Sequence, residues 1–112
     1  MRLMHGNKAV ANDVVIFKNA FSKAIGLRFK HVDRKKAYVF PVNNSRASMV
    51  DTFFMASSID IVFLDNDFKV IGIKRNVRPF NMVMPEKGTR FIVEMRNAGN
   101  VKFDDKVRLS GL

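Results

Sequence analysis

Residues 59–74, IDIVFLDNDFKVIGIK, set the strongest limit on what this chain can fold into. The strand-like run at residues 60–64 gives way to Asp65-Asn66-Asp67, three residues with strong turn chemistry. Residues 68–74 then alternate in part between apolar and polar side chains, which is the period of a strand. The segment reads as a β-hairpin with its turn at Asn66.

The same pattern of short runs and turns recurs along the chain. Val14, Val15, Ile16 and Phe17 suit an early strand, and Ala37-Tyr38-Val39-Phe40 a later one, ending at Pro41. Asn43-Asn44-Ser45 has turn chemistry, and residues 48–55 can be extended. Residues 89–95 resume a strand, Asn97-Ala98-Gly99-Asn100 turns, and residues 106–109 close with a last short strand. Residues 75–87 carry Pro79 and Pro85 and read as a long loop or irregular edge, because proline removes ladder donors. One short helix is expected, with Ala20, Phe21, Ala24, Ile25 and Leu27 near helical spacing, Asn19 as a cap and Gly26 as a stop. The expectation is a mainly β fold, an antiparallel β-sandwich or barrel of about six to eight short strands with one short N-terminal helix.

At 112 residues a single domain over 1–112 is expected, long enough to bury one core without metals or disulfides. Cysteine is absent, which removes disulfides, thiolate zinc sites and cysteine nucleophiles together and suits a reducing interior. The opening residues contain no apolar run of signal-peptide length, since His5, Gly6 and Asn7 interrupt them. No stretch approaches the roughly 18 apolar residues of a membrane span. A soluble, cytoplasmic protein without membrane contact is the expectation.

Twenty Lys and Arg against ten acids leave a net charge of +10, which favours weak polyanion or nucleic-acid binding and equally keeps a small protein soluble. The cations are spread. Arg34, Lys35 and Lys36 form one short run, and Lys74, Arg75 and Arg78 precede Phe80. Phenylalanines interleaved with cations can stack bases, although eleven of them in a small β domain also supply its core. No RRM-type signature occurs. Neither phosphate-binding glycine pattern is present, so no nucleotide cofactor is implied. His5 and His31 lack a second ligand type at metal spacing and read as surface histidines, and no metal is expected.

Asp60 and Glu94 stand out because each carboxylate interrupts an apolar strand, where an unpaired charge is costly. Each either faces a cleft, as a base or a ligand acceptor, or accepts hydrogen bonds from backbone amides or an arginine such as Arg28 or Arg90. Residues 80–85, FNMVMP, are apolar within the expected loop. Phe80, Met82 and Met84 either form a contact surface for a protein partner or small ligand or fold over one end of the core. A non-enzymatic binding or accessory module with a basic surface is the functional expectation. A small-ligand enzyme or ligand-binding site using Asp60 and Glu94, and an RNA-binding protein, are its rivals.

Three stretches within residues 20–109 carry a resemblance: Gly26-Leu27-Arg28-Phe29-Lys30, residues 53–67 (FFMASSIDIVFLDND), and Phe91-Ile92-Val93-Glu94-Met95 with Asn97-Ala98-Gly99. In order and spacing the chain resembles compact archaeal-type members of the family called domain of unknown function 192. It departs at Arg28, where methionine is usual, and at Phe54, Ala56 and Ser57, where tryptophan, asparagine and proline are common. Asp104 also replaces a glycine before Asp105. The resemblance implies a mainly β domain with a small helix and carries no activity with it.

Overall fold

The computed structural model describes residues 1–17, 35–42, 50–51 and 57–111. Within them the chain forms ten strands: β1 (Arg2–His5), β2 (Lys8–Ala11), β3 (Asp13–Ile16), β4 (Lys36–Pro41), β5 (Val50–Asp51), β6 (Ile59–Leu64), β7 (Val70–Val77), β8 (Met82–Val83), β9 (Phe91–Met95) and β10 (Arg108–Ser110). They assemble as a three-stranded sheet β10-β1-β2, a five-stranded sheet β3-β4-β9-β6-β7 and a two-stranded ribbon β5-β8. All pairings are antiparallel except β3 with β4. The fold is mainly β, as expected, and sandwich-like rather than a closed barrel. No helix occurs among the described residues. The short helix expected at residues 20–27, the Asn43-Asn44-Ser45 turn and residues 48–49 and 52–55 of the expected extended segment lie outside them.

The five-stranded sheet is apolar on both faces, and its register shows why. Val62 lies opposite Val93 in β9, and Val93 opposite Val39 in β4, so all three share one face. Leu64, Met95 and Ala37 join them, and Leu3 and Ala11 of the three-stranded sheet pack against that face with Ala98, Val101 and Val107. The other face carries Phe40, Ile59, Ile61, Phe63 and Ile92, with Val42 and Val50. Phe17 stacks on Phe40 there, ring centroids 4.7 Å apart and 13° from parallel. With apolar packing on each side, β6 is buried at all six positions. Such a strand reads as a continuous apolar run rather than an alternation.

The hairpin expected around Asn66 is β6–β7. Oδ1 of Asp65 accepts the amides of Asp67 (2.8 Å) and Lys69 (2.9 Å), and the Phe68 amide closes the turn on the Asp65 carbonyl (3.1 Å). Two expectations need correction. Strand β7 runs on to Val77, into the segment read as loop, because neither of its prolines comes before Pro79. The strand count also exceeds eight, partly because residues 2–11 form an antiparallel hairpin. Its turn is Gly6-Asn7, with Gly6 at φ 61°, a left-handed conformation glycine adopts without Cβ strain. A Gly-Asn pair between two short runs is a recognised hairpin signal.

Candidate functional site

Asp60 is a buried carboxylate with backbone amides and an arginine around it. In the β6–β7 ladder Ile59 pairs with Val77 and Ile61 with Lys74, so the single residue Asp60 faces both Arg75 and Asn76. This is a β-bulge, which frees a backbone amide from the ladder. Asn76, at φ 54°, donates that amide to Oδ1 of Asp60 at 2.8 Å. Oδ2 accepts the Ala98 amide at 2.8 Å and lies 3.6 Å from the Arg75 guanidinium. Arg75 also donates to the Val101 carbonyl. One 8% exposed carboxylate therefore ties the bulge of β7 to the turn after β9. The arginine beside it among the described residues is Arg75. Arg28 lies outside the described residues, and Arg90 hydrogen-bonds through its backbone to Leu64, at the opposite end of β6.

Glu94 is buried too, but in β9 it faces Ile61, while Asp60 faces Met95. Adjacent strand positions point to opposite faces, so the two acids lie on opposite sides of the sheet. They do not share a site. Glu94 also has an interaction partner of its own.

The candidate cations separate likewise. Lys35 accepts the amides of Asn12 and Asp13 on its carbonyl, and Nζ of Lys36 sits 3.9 Å from Asp13, so both belong to the β3–β4 edge. Arg34 lies outside the described residues. Lys74, Arg75 and Arg78 belong to the opposite edge, on and just after β7. There they line a groove of about 400 Å³ together with Asn76, Asn81 and Met82. Two groups that the sequence suggested separately, the second cation run and the apolar loop, thus meet at one surface. The side-chain amide of Asn81 bonds the Arg78 carbonyl at 2.9 Å and holds the turn. Phe80 occupies a left-handed φ of 66° and is 70% exposed, and Met82 and Met84 are exposed beside it. A non-glycine residue in this region is strained and persists only where its surroundings fix it. Phe80, Met82 and Met84 are presented outward, while Val83 between them packs against the core.

His5 is half-buried rather than a plain surface residue, with Nε2 2.9 Å from Asp105 near the far end of the chain. No group of three His, Asp or Glu side chains that could hold a metal ion occurs among the described residues. No helix among them is long and apolar enough to cross a membrane.

Together these features define a small basic β domain with a buried carboxylate node and an edge surface that mixes cations with exposed apolar side chains. The chain belongs to the DUF192 family, described as Uncharacterized ACR, which it matches over residues 2–108. It is similar to a UPF0127 protein of Pyrococcus horikoshii, 26% identical over 106 residues and covering 91% of each chain. Its fold is similar to the crystal structure of a protein of unknown function from Novosphingobium aromaticivorans, with TM-score 0.74, 18% identity, and coverage of 96% of this chain and 82% of that one. It is also similar to a Sinorhizobium meliloti protein whose description proposes a role in transcription regulation, with TM-score 0.75, 14% identity, and coverage of 96% and 89%. At these identities the two crystal structures show the fold alone.

Proposed function

We propose that the protein is a binding module whose contact face is the edge of β7 and the loop carrying Phe80, Met82 and Met84, and that its partner is a single-stranded nucleic acid. The observation that carries this reading is the meeting of Lys74, Arg75 and Arg78 with Met82 around one groove, next to an outward-held Phe80. Cations that track a phosphate backbone, combined with a ring on which a base can stack, are what sequence-tolerant single-strand binding requires. The net charge of +10 adds long-range attraction. Asp60 and the Val101 carbonyl already hold the Arg75 guanidinium. In this reading Lys74 and Arg78 contact the phosphates, and Phe80 is the stacking platform.

Fluorescence anisotropy with a labelled single-stranded RNA 12-mer tests this. Phe80→Ala is expected to weaken binding by about 1–3 kcal/mol, the range for one base–aromatic stack. Unchanged affinity in that variant would remove the stacking role and leave only non-specific charge.

A further inference from the structure

Met82 and Met84 are 58% and 65% exposed, whereas methionine is among the side chains most often found buried. Their exposure is built in. Val83 between them packs on the cluster of Phe40, Ile61 and Phe63, and its register partner Val50 is fully buried. Side chains alternate along an extended segment, so an inward Val83 turns both methionines outward. The segment is fastened on either side as well. Before it, Asn81 holds the Arg78 carbonyl. After it, the Thr89 amide (3.1 Å) and hydroxyl (2.6 Å) both donate to the Glu86 carbonyl. The Glu86 side chain lies against Gly72 of β7, where an added Cβ would collide with it.

The other described methionines are placed differently. Met95 is buried in the core, Met4 is half-buried in β1, and Met1 is less exposed than either member of the pair. Met49 and Met55 lie outside the described residues. A thioether is oxidised by peroxide wherever peroxide can reach it. The sulfur lone pair takes one oxygen of hydrogen peroxide, the O–O bond breaks, and the hydroxide released takes the proton of that oxygen to leave as water. Sulfur gives up two electrons and the peroxide accepts them. An interior packed at crystal-like density denies the oxidant that approach, whereas the two side chains on this loop are open to it.

We infer that Met82 and Met84 form a reversible oxidation site, which hydrogen peroxide converts to sulfoxides while the fold stays intact. A thiol-dependent sulfoxide reductase restores them, two thiols becoming a disulfide as the oxygen leaves in water. The consequence for binding rests on the contact face proposed above. Met82 lines that groove with Lys74. Oxidation turns an apolar wall polar and gives the Lys74 ammonium, which only donates, an acceptor in competition with phosphate.

Tandem mass spectrometry of tryptic peptides, sampled while the folded chain stands in hydrogen peroxide, reads the site directly. Met82 and Met84 should oxidise several-fold faster than Met4 and Met95, and Tm should hold at its untreated value once the pair is converted. Methionine sulfoxide reductases supplied with a dithiol should return both. Equal rates at all four positions, or a Tm that falls in step with the Met82 and Met84 sulfoxides, would overturn the inference. In the anisotropy assay oxidation should weaken RNA binding roughly tenfold, a loss of part of one methionine's apolar contact. Met82→Leu with Met84→Leu keeps the volume and cannot be oxidised, so it should bind like untreated wild type before and after peroxide. An equal loss of binding in that variant would assign the effect to other residues and overturn the switch. The peptide map needs no RNA, so a chain that bound none would remove the reading of the β7 face and leave the oxidation site standing on its rates.

Discussion

At the residue scale, Asp60 shows how a charge can sit in an apolar strand. Its two oxygens answer the amides of Asn76 and Ala98 and the Arg75 guanidinium, so the donors that burial would orphan are satisfied together. Asp60→Ala should therefore destabilise by about 1–3 kcal/mol in urea melts, the cost of leaving such groups unpaired. Hydrogen exchange at the Ala98 amide should quicken in that variant. Asp60→Asn is not a mild substitute, because one of its two positions becomes a donor facing a donor. Asp65 supplies the pH-dependent case. The Lys69 amide is the main group holding its pKa below the usual 3.8, with the Asp67 amide and the Lys69 and Lys106 charges in support. A carboxylate depressed on folding contributes stability that is present above its unfolded pKa and lost as pH falls through the folded one. Asp65→Ala should lower Tm at neutral pH, and the gap to wild type should close on acidification below about pH 4. The sequence singled out Asp60 as costly but not its donors. Ala98 lies 38 residues away, and the bulge that releases the Asn76 amide exists only once β6 and β7 pair.

At the element scale, the hairpin β6–β7, strands β3, β4 and β9, and the turns at Asp65-Asn66-Asp67 and Asn97-Ala98-Gly99-Asn100 were legible because short apolar runs and Asx-rich turns are local signals. The N-terminal hairpin was not read. Its apolar content is thin, and its burial comes from docking on the five-stranded sheet, a long-range event. Leu3 is its anchor, 3% exposed in the same cluster as Val39, Val62 and Val93. Leu3→Ala should cost about 2–5 kcal/mol in chemical denaturation, the usual range for a buried leucine. The pairing of candidate sites was equally beyond local pattern. Asp60 and Glu94 looked alike in sequence, yet their register places them on opposite faces. The convergence of Met82 with Lys74 and Arg78 depends on a turn that strains Phe80 into a left-handed φ.

At the scale of the whole molecule, the cations of the described residues are divided rather than pooled. Lys35 and Lys36 stand at the β3–β4 edge, Lys74 and Arg78 at the β7 edge, and Lys8 and Arg96 at a groove beside the first hairpin. A charge that served only solubility would make these positions interchangeable for polyanion binding, whereas a built contact face would not. The most direct measurement is the salt dependence of single-stranded RNA affinity for wild type, for Lys74→Gln with Arg78→Gln, and for Lys35→Gln with Lys36→Gln. Each phosphate contact contributes about 0.7 to the slope of log K against log salt for a single strand. The β7 variant should lose about twice that slope, while the β3–β4 variant keeps the wild-type value. Equal slopes for both variants, or an affinity that does not fall with salt, would contradict the account.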